Sequence, residues 1–245
     1  MKEIIKNEEF NIYRDNRKET LYKIIFSSIS TTNISLLNSI IKTNIILGST
    51  ITEDYKSITF QALSVKTLPQ YLLYLKKTQE NNTLDINKSL NMIYYLSNQL
   101  KYLINNEGKC FYRYNPHNVL IIDETKFIYL SNEDLLKIKP ETENIEINTI
   151  ISLDWFISPE ILKINSIPEI VNYRTIYYSL SALIIYSLYS VNILDILNDD
   201  DKVNDDDKVN DNIDEILNNL KGTKLYYFLK RCLNKTIENR RLIYF

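Results

Sequence analysis

Glycine is almost missing from this chain: three occur in 245 residues, at Gly48, Gly108 and Gly222. A loop that cradles phosphates needs glycines, because its backbone must take positive φ and approach the phosphate oxygens closely. No such loop can be built before Gly48. Cysteine is as scarce, with Cys110 and Cys232 alone; two are too few for a disulfide framework, and they lack metal-ligand spacing. That usage fits a reducing compartment, and a cytoplasmic location is expected. The single histidine, His117, has no neighbour that completes a catalytic dyad. There is no excess of positive charge. With 29 Lys and Arg against 31 Asp and Glu the formal net charge is -2, which gives no basic face for nucleic acid. The amino terminus carries acids where a targeting signal has apolar or basic residues. The most apolar stretch, Tyr177 to Tyr189, is broken by serines and is short for a bilayer span. No membrane partner is expected.

What is present supports a folded chain. Hydrophobic residues make up 44%, enough for a sizeable core. Isoleucine, asparagine, lysine and tyrosine are heavily used, the bias of A- and T-rich codons. Phe10–Arg14 and Leu21–Phe26 read as strands joined by a polar turn. Asn33–Thr43 has helical spacing with Asn33 as its cap, and strand-like runs follow at Ile45–Leu47 and Ser57–Gln61. Helices then dominate. One starts at the Thr67 cap with Pro69 in its first turn; one runs from Asp85 with a stripe through Leu90, Ile93, Leu96 and Leu100. Thr175–Leu188 is apolar nearly all round, and a last helix covers Thr223–Leu233. Between the second and third of these, Asn118–Ile122 and Lys126–Leu130 read as strands. A charged hexamer, Asn198-Asp-Asp-Asp-Lys-Val203, is repeated at once as Asn204–Val209. A solvated insertion at about 198–211 is the simplest reading, and its spacing is not that of a calcium loop.

Several segments, in order along the chain, resemble the eukaryotic-type protein kinases. Ser57-Ile-Thr-Phe-Gln-Ala-Leu-Ser64 followed by Thr67-Leu-Pro-Gln-Tyr-Leu72 is similar to the fifth strand, hinge and following helix. Pro116-His-Asn-Val-Leu-Ile121 resembles the end of the catalytic loop, and Phe127-Ile-Tyr-Leu-Ser131 the strand that leads to the metal-binding tripeptide. Ser158-Pro-Glu-Ile-Leu162 is similar to the element closing the activation segment, and Arg231–Arg240 to the conserved end of the domain. The nearest likeness is to the divergent kinase-like proteins of large DNA viruses. The resemblance implies an α+β, bilobal fold: a reduced β-rich N-lobe at 1–61, a hinge at 62–66, and a mainly helical C-lobe at 67–245.

It also implies where the chemistry of phosphoryl transfer should sit, namely a phosphate cover, a lysine held by an acid, a base and metal ligands. Lys23 matches the third-strand lysine, or is an ordinary outward-facing lysine. The helix at Asn33–Thr43 has no acid to hold it. Arg113 falls on the position of the catalytic base and cannot accept a proton. Asn118 matches the metal-binding asparagine, or ties its own loop together. Asn132 replaces the principal metal carboxylate, with Glu133 and Asp134 as possible substitutes. Glu160 and Arg240 match a buried structural ion pair. The expected function is therefore a kinase-like domain that has lost phosphotransfer, needs no cofactor or metal, and acts by binding another protein. The alternative is an active, atypical Ser/Thr kinase that uses ATP and magnesium through Glu133 or Asp134.

Overall fold

The computed structural model describes residues 1–28, 30–46, 48–149, 156–193 and 213–242. The duplicated hexamers expected to form an insertion lie outside the described residues. The fold is mixed α+β. Strands β1 (Lys2–Lys6), β2 (Phe10–Arg14), β3 (Leu21–Phe26), β4 (Thr50–Ile51) and β5 (Ser57–Gln61) form an antiparallel sheet in the order β1-β2-β3-β5-β4. Period-two alternation drives it: Phe10, Ile12, Tyr22, Ile24, Phe26, Ile58 and Phe60 are buried on one face. Register follows that pattern, with Ile5 opposite Ile12, Ile12 opposite Ile24, and Ile24 opposite Ile58. Helix α1 (Thr31–Lys42) connects β3 to β4 and adds Leu36, Leu37 and Ile40 to the same core.

Two local readings need correction. The cap of α1 is Ser30, whose hydroxyl accepts from the Thr32 N–H, while Asn33 is buried inside the first turn and ties to the Ser28 carbonyl. Ile45 and Ile46 are buried core residues following the helix, not strand; the short strand of this region is β4 instead. The β1 strand was not legible, because Lys2, Glu3 and Lys6 dilute its alternation.

From Leu68 onward helices dominate. Helix α2 (Leu68–Gln79) starts with a reciprocal capping box between Thr67 and Gln70. Helix α3 (Ile86–Tyr102) is capped by Asp85, whose carboxylate accepts from the Lys88 N–H at 2.8 Å. Before α2, β6 (Val65–Thr67) pairs with β8 (Val119–Ile122), and β8 with β9 (Lys126–Tyr129), in a three-stranded sheet. The β8–β9 turn places Asp123 and Glu124 at φ 52° and 60°, and Asp is among the residues that tolerate this region. Its Asp123 carboxylate accepts from the Leu63 and Ser64 N–H groups at 2.6 and 3.2 Å, pinning the connection between the five-stranded sheet and α2.

Two further antiparallel pairs join segments well separated along the chain. β7 (Lys109–Phe111) pairs with β10 (Leu135–Lys137), and β11 (Asn144–Ile147) with β12 (Glu169–Asn172). A short helix, α4 (Pro159–Leu162), precedes β12. Helix α5 (Thr175–Tyr189) is the core of this part: Ile176, Leu180, Ala182, Leu183, Ile184 and Ile185 have no exposed surface. Helix α6 (Lys224–Cys232), capped by Thr223, packs against it through Leu225, Phe228 and Leu229. Among the described residues no helix is long and apolar enough to cross a membrane.

Because α5 is packed on all sides, Leu183→Ala should destabilise the protein by about 2–5 kcal/mol, through lost transfer energy and the cavity left behind. Chemical denaturation checks it; an unchanged midpoint would place Leu183 outside the tight core.

Candidate functional site

The turn between β1 and β2, Asn7-Glu8-Glu9, is built without glycine. The Glu9 N–H donates to Asn7 Oδ1 at 3.0 Å, an Asx-type turn, and the Asn7 N–H donates to the Phe10 carbonyl at 3.0 Å. This turn reaches across to the loop and strand ends near Asn118 and Ser131. Asn7 Nδ2 donates to Asn118 Oδ1 at 2.7 Å, and Asn118 Nδ2 donates to Glu9 Oε1 at 2.7 Å. Ser131 Oγ donates to the same Glu9 oxygen at 2.8 Å. The N–H groups of Asn132 and Glu133 donate to Glu9 Oε2 at 2.6 and 3.2 Å. Burial pushes the Glu9 carboxyl above its ordinary value; the hydrogen bonds from Ser131 and the two amides offset only part of that, and nearby Asp134 adds to it.

The loop that presents Asn118 is set by local chemistry. Asn115 Oδ1 accepts from the His117 N–H at 2.8 Å, opening the single 3-10 turn Pro116–Asn118. The Asn118 N–H returns to the Asn115 carbonyl, and its own carbonyl accepts from the Leu130 N–H at 2.9 Å. The Asn118 side chain thus joins its loop to the β1–β2 turn, accepting from Asn7 and donating to Glu9.

Asp134 is buried, and both its oxygens are engaged. Arg113 Nε donates to Oδ1 at 2.5 Å, and the Tyr129 hydroxyl donates to Oδ2. Burial, with Asp134 beside it, pushes the Tyr129 phenol well above its ordinary value, so it stays a donor. The same hydroxyl accepts from the Asn115 N–H at 2.9 Å. Phe111 and Tyr114 pack edge-on against the Tyr129 ring, each with centroids 4.7 Å away. From behind, Gln99 of α3 brackets the Tyr129 backbone, accepting its N–H and donating to its carbonyl, both at 2.9 Å. Glu133 is exposed on the rim.

The remaining residues singled out from the sequence fall elsewhere. Lys23 sits opposite Tyr13 and Thr59, on the face of β3 away from buried Tyr22 and Ile24. The polar contacts of α1 run another way: Ser35 Oγ donates to Glu107 at 2.8 Å and accepts from Lys109 Nζ at 2.8 Å. Arg240 is fully buried and makes a two-pronged pair with Glu160, Nη1 to Oε2 at 2.9 Å and Nη2 to Oε1 at 2.6 Å. It also donates through Nε to the Asn234 carbonyl at 2.7 Å and lies 5.1 Å from the Tyr178 ring centroid. Sequence reasoning missed Glu9, the residue that organises the site. An acid beside Asn7 in a turn between strands was the available signal, and it is a weak one.

The oxygens of Asn118 and Asp134 that the resemblance would offer to a metal are engaged with protein groups. Asn118 turns its amide N–H, not its oxygen, toward the Glu9 carboxylate, and the two oxygens of Asp134 are taken by Arg113 and Tyr129. Asn132 Oδ1 is buried without a partner, but it is one neutral oxygen, and magnesium demands a near-ideal shell of oxygens. Among the described residues no group of three or more His, Cys, Asp or Glu side chains is placed to hold a metal ion.

Burial pushes the Glu160 carboxyl up, but the hydrogen bond and charge of Arg240 outweigh it, so its folded value lies below the ordinary 4.5. A depressed carboxylate contributes stability that is present above the unfolded value and lost as pH falls through the folded one. Glu160→Ala should therefore cost about 3–5 kcal/mol at neutral pH, because it leaves Arg240 buried and unpaired. The penalty should shrink below pH 4.5. Denaturation midpoints across pH check both; a pH-independent penalty would contradict the assignment. In comparisons with known proteins, no family model matches the chain, and no curated protein matches it.

Proposed function

We propose that this chain is a pseudokinase: a bilobal, protein-kinase-like domain without phosphotransfer, working as a binding or regulatory module for another protein. Support for the scaffold comes from the order of elements. A five-stranded antiparallel sheet with one helix between its third and fourth strands precedes a pinned linker, and a mainly helical region follows. The Glu160–Arg240 pair that the resemblance predicts forms at 2.6 and 2.9 Å, which supports this reading.

Support for the loss of chemistry rests chiefly on one observation. The carboxylate of Glu9 fills the donor set formed by Asn118, Ser131 and the Asn132 and Glu133 amides. In a working kinase that region receives phosphate oxygens and metal. Here a fixed negative charge sits in it, and phosphates brought to the same place meet charge repulsion instead of neutralisation. Arg113, at the base position, is committed to Asp134 and carries no proton-accepting atom. The active-kinase alternative requires Asp134 or Glu133 to be available to a metal. Asp134 is held on both oxygens, and Glu133 contributes its backbone N–H to Glu9.

Purified protein incubated with radiolabelled ATP and magnesium should give no transfer above background, and Asn118→Ala should leave that background unchanged. Robust transfer that Asn118→Ala abolishes would refute the reading.

A further inference from the structure

The cage around Glu9 consists of donors alone. Ser131 and Asn118 are buried. Ser131 Oγ accepts from the Asp134 N–H at 3.1 Å, which turns its own hydrogen toward Glu9. Asn118 spends its oxygen on Asn7, which turns its N–H toward Glu9. The amides of Asn132 and Glu133 can only donate. Two hydrogens thus meet each carboxylate oxygen, and among the described residues no cationic side chain pairs with it, Arg113 facing Asp134 instead. This is the geometry of a receptor for an oxyanion, assembled by elements other than the one that supplies the anion.

We propose that these four donors form a metal-free oxyanion site whose resident ligand is the chain's own Glu9 carboxylate, and that an external carboxylate or phosphate monoester takes the same donors when the Asn7–Glu9 turn lifts. Lifting recovers the desolvation of a buried charge, which the raised Glu9 carboxyl reports. It also leaves four donors in need of acceptors, two of them on the buried side chains of Asn118 and Ser131, and an unsatisfied buried donor is costly. An incoming oxyanion removes that cost. A tethered ligand competes at a high effective concentration, on the order of millimolar for a short connection, so external anions bind the wild-type protein weakly and a Glu9-less variant more tightly.

This inference shares the cleft of the proposed function and rests on it only for location; the two fail separately. Magnesium-dependent ATP turnover would refute the pseudokinase reading and leave metal-free anion binding untouched. The test titrates inorganic phosphate and, separately, acetate into wild type, Glu9→Ala and the double variant Glu9→Ala/Ser131→Ala. Sodium chloride of matched ionic strength serves as control, and amide NMR shifts are the readout. Glu9→Ala should bind one or both anions at least about tenfold more tightly than wild type, with the Asn132 and Glu133 signals moving most. Adding Ser131→Ala should remove most of the gain. A preference for acetate identifies a carboxylate ligand, and a preference for phosphate a phosphoryl group. Should Glu9→Ala not fold, the wild-type titration decides: saturable movement of those two amides supports the site. Signals that move no more than in chloride, or a double variant that binds as well as Glu9→Ala, overturn it.

Discussion

Four hydrogens converge on the Glu9 carboxylate, and the way the first sheet meets the rest of the chain depends on them. A carboxylate taken out of water is costly unless it is hydrogen-bonded, so a turn carrying Glu9 can rest only where donors already wait. Asn118, Ser131 and the amides of Asn132 and Glu133 supply them, and Asn7 adds a second link to Asn118 from the same turn. The shortage of glycine fits this solution. A glycine-rich turn brings bare backbone N–H groups to an anion; a turn made from asparagine and glutamate brings the anion itself. The polarity of the contact is reversed.

The second carboxylate of the site is treated the same way. Asp134 could not be buried free, and Arg113 together with the Tyr129 phenol satisfies it. Tyr129 is in turn fixed from three directions: by Phe111 and Tyr114 against its ring, by Gln99 along its backbone, and by the Asn115 N–H at its hydroxyl. Moving Asp134 toward a metal would strand the buried Tyr129 hydroxyl and leave Arg113 without its partner. Networks of this kind resist partial change, because every broken link leaves a desolvated group unmatched.

Much of the fold was legible because local chemistry and tertiary packing agree there. β2, β3, β5, β8 and β9 alternate or are bounded by turn residues; α2 and α3 have side-chain caps at Thr67 and Asp85; α5 has no polar stripe to mistake. Legibility failed where tertiary contacts decide. β1 is a strand through its pairing with β2, Ile45 and Ile46 are buried without being strand, and β7, β10, β11 and β12 are short segments that pair only with partners far along the chain. Site residues divide similarly. Glu160 and Arg240 could be named from motifs at each end of a long separation, and their side chains meet. Arg113 could be placed at the base position, but its pairing with Asp134 could not be read, since nothing in the spacing of the two sets the direction of their side chains. Glu9 left almost no trace, because its role comes from what the turn reaches rather than from its neighbours in sequence.

Charge in the cleft gives the last step. A site that transfers phosphoryl groups gathers carboxylates near one another and leaves them repelling until metal and substrate arrive. Such a site is destabilised while empty, in exchange for activity. Here that tension is largely offset by protein groups, although Asp134 still pushes the Glu9 carboxyl up. α1 contributes no acid, Asp134 is matched by a guanidinium, and Glu9 is matched by neutral donors. Under the pseudokinase reading proposed above, magnesium would meet carboxylates already matched by protein groups. The site can still respond to an anion, which competes for hydrogens rather than for charge. On the two proposals taken together, the same four donors that hold Glu9 in place of metal chemistry are the ones an external oxyanion would take.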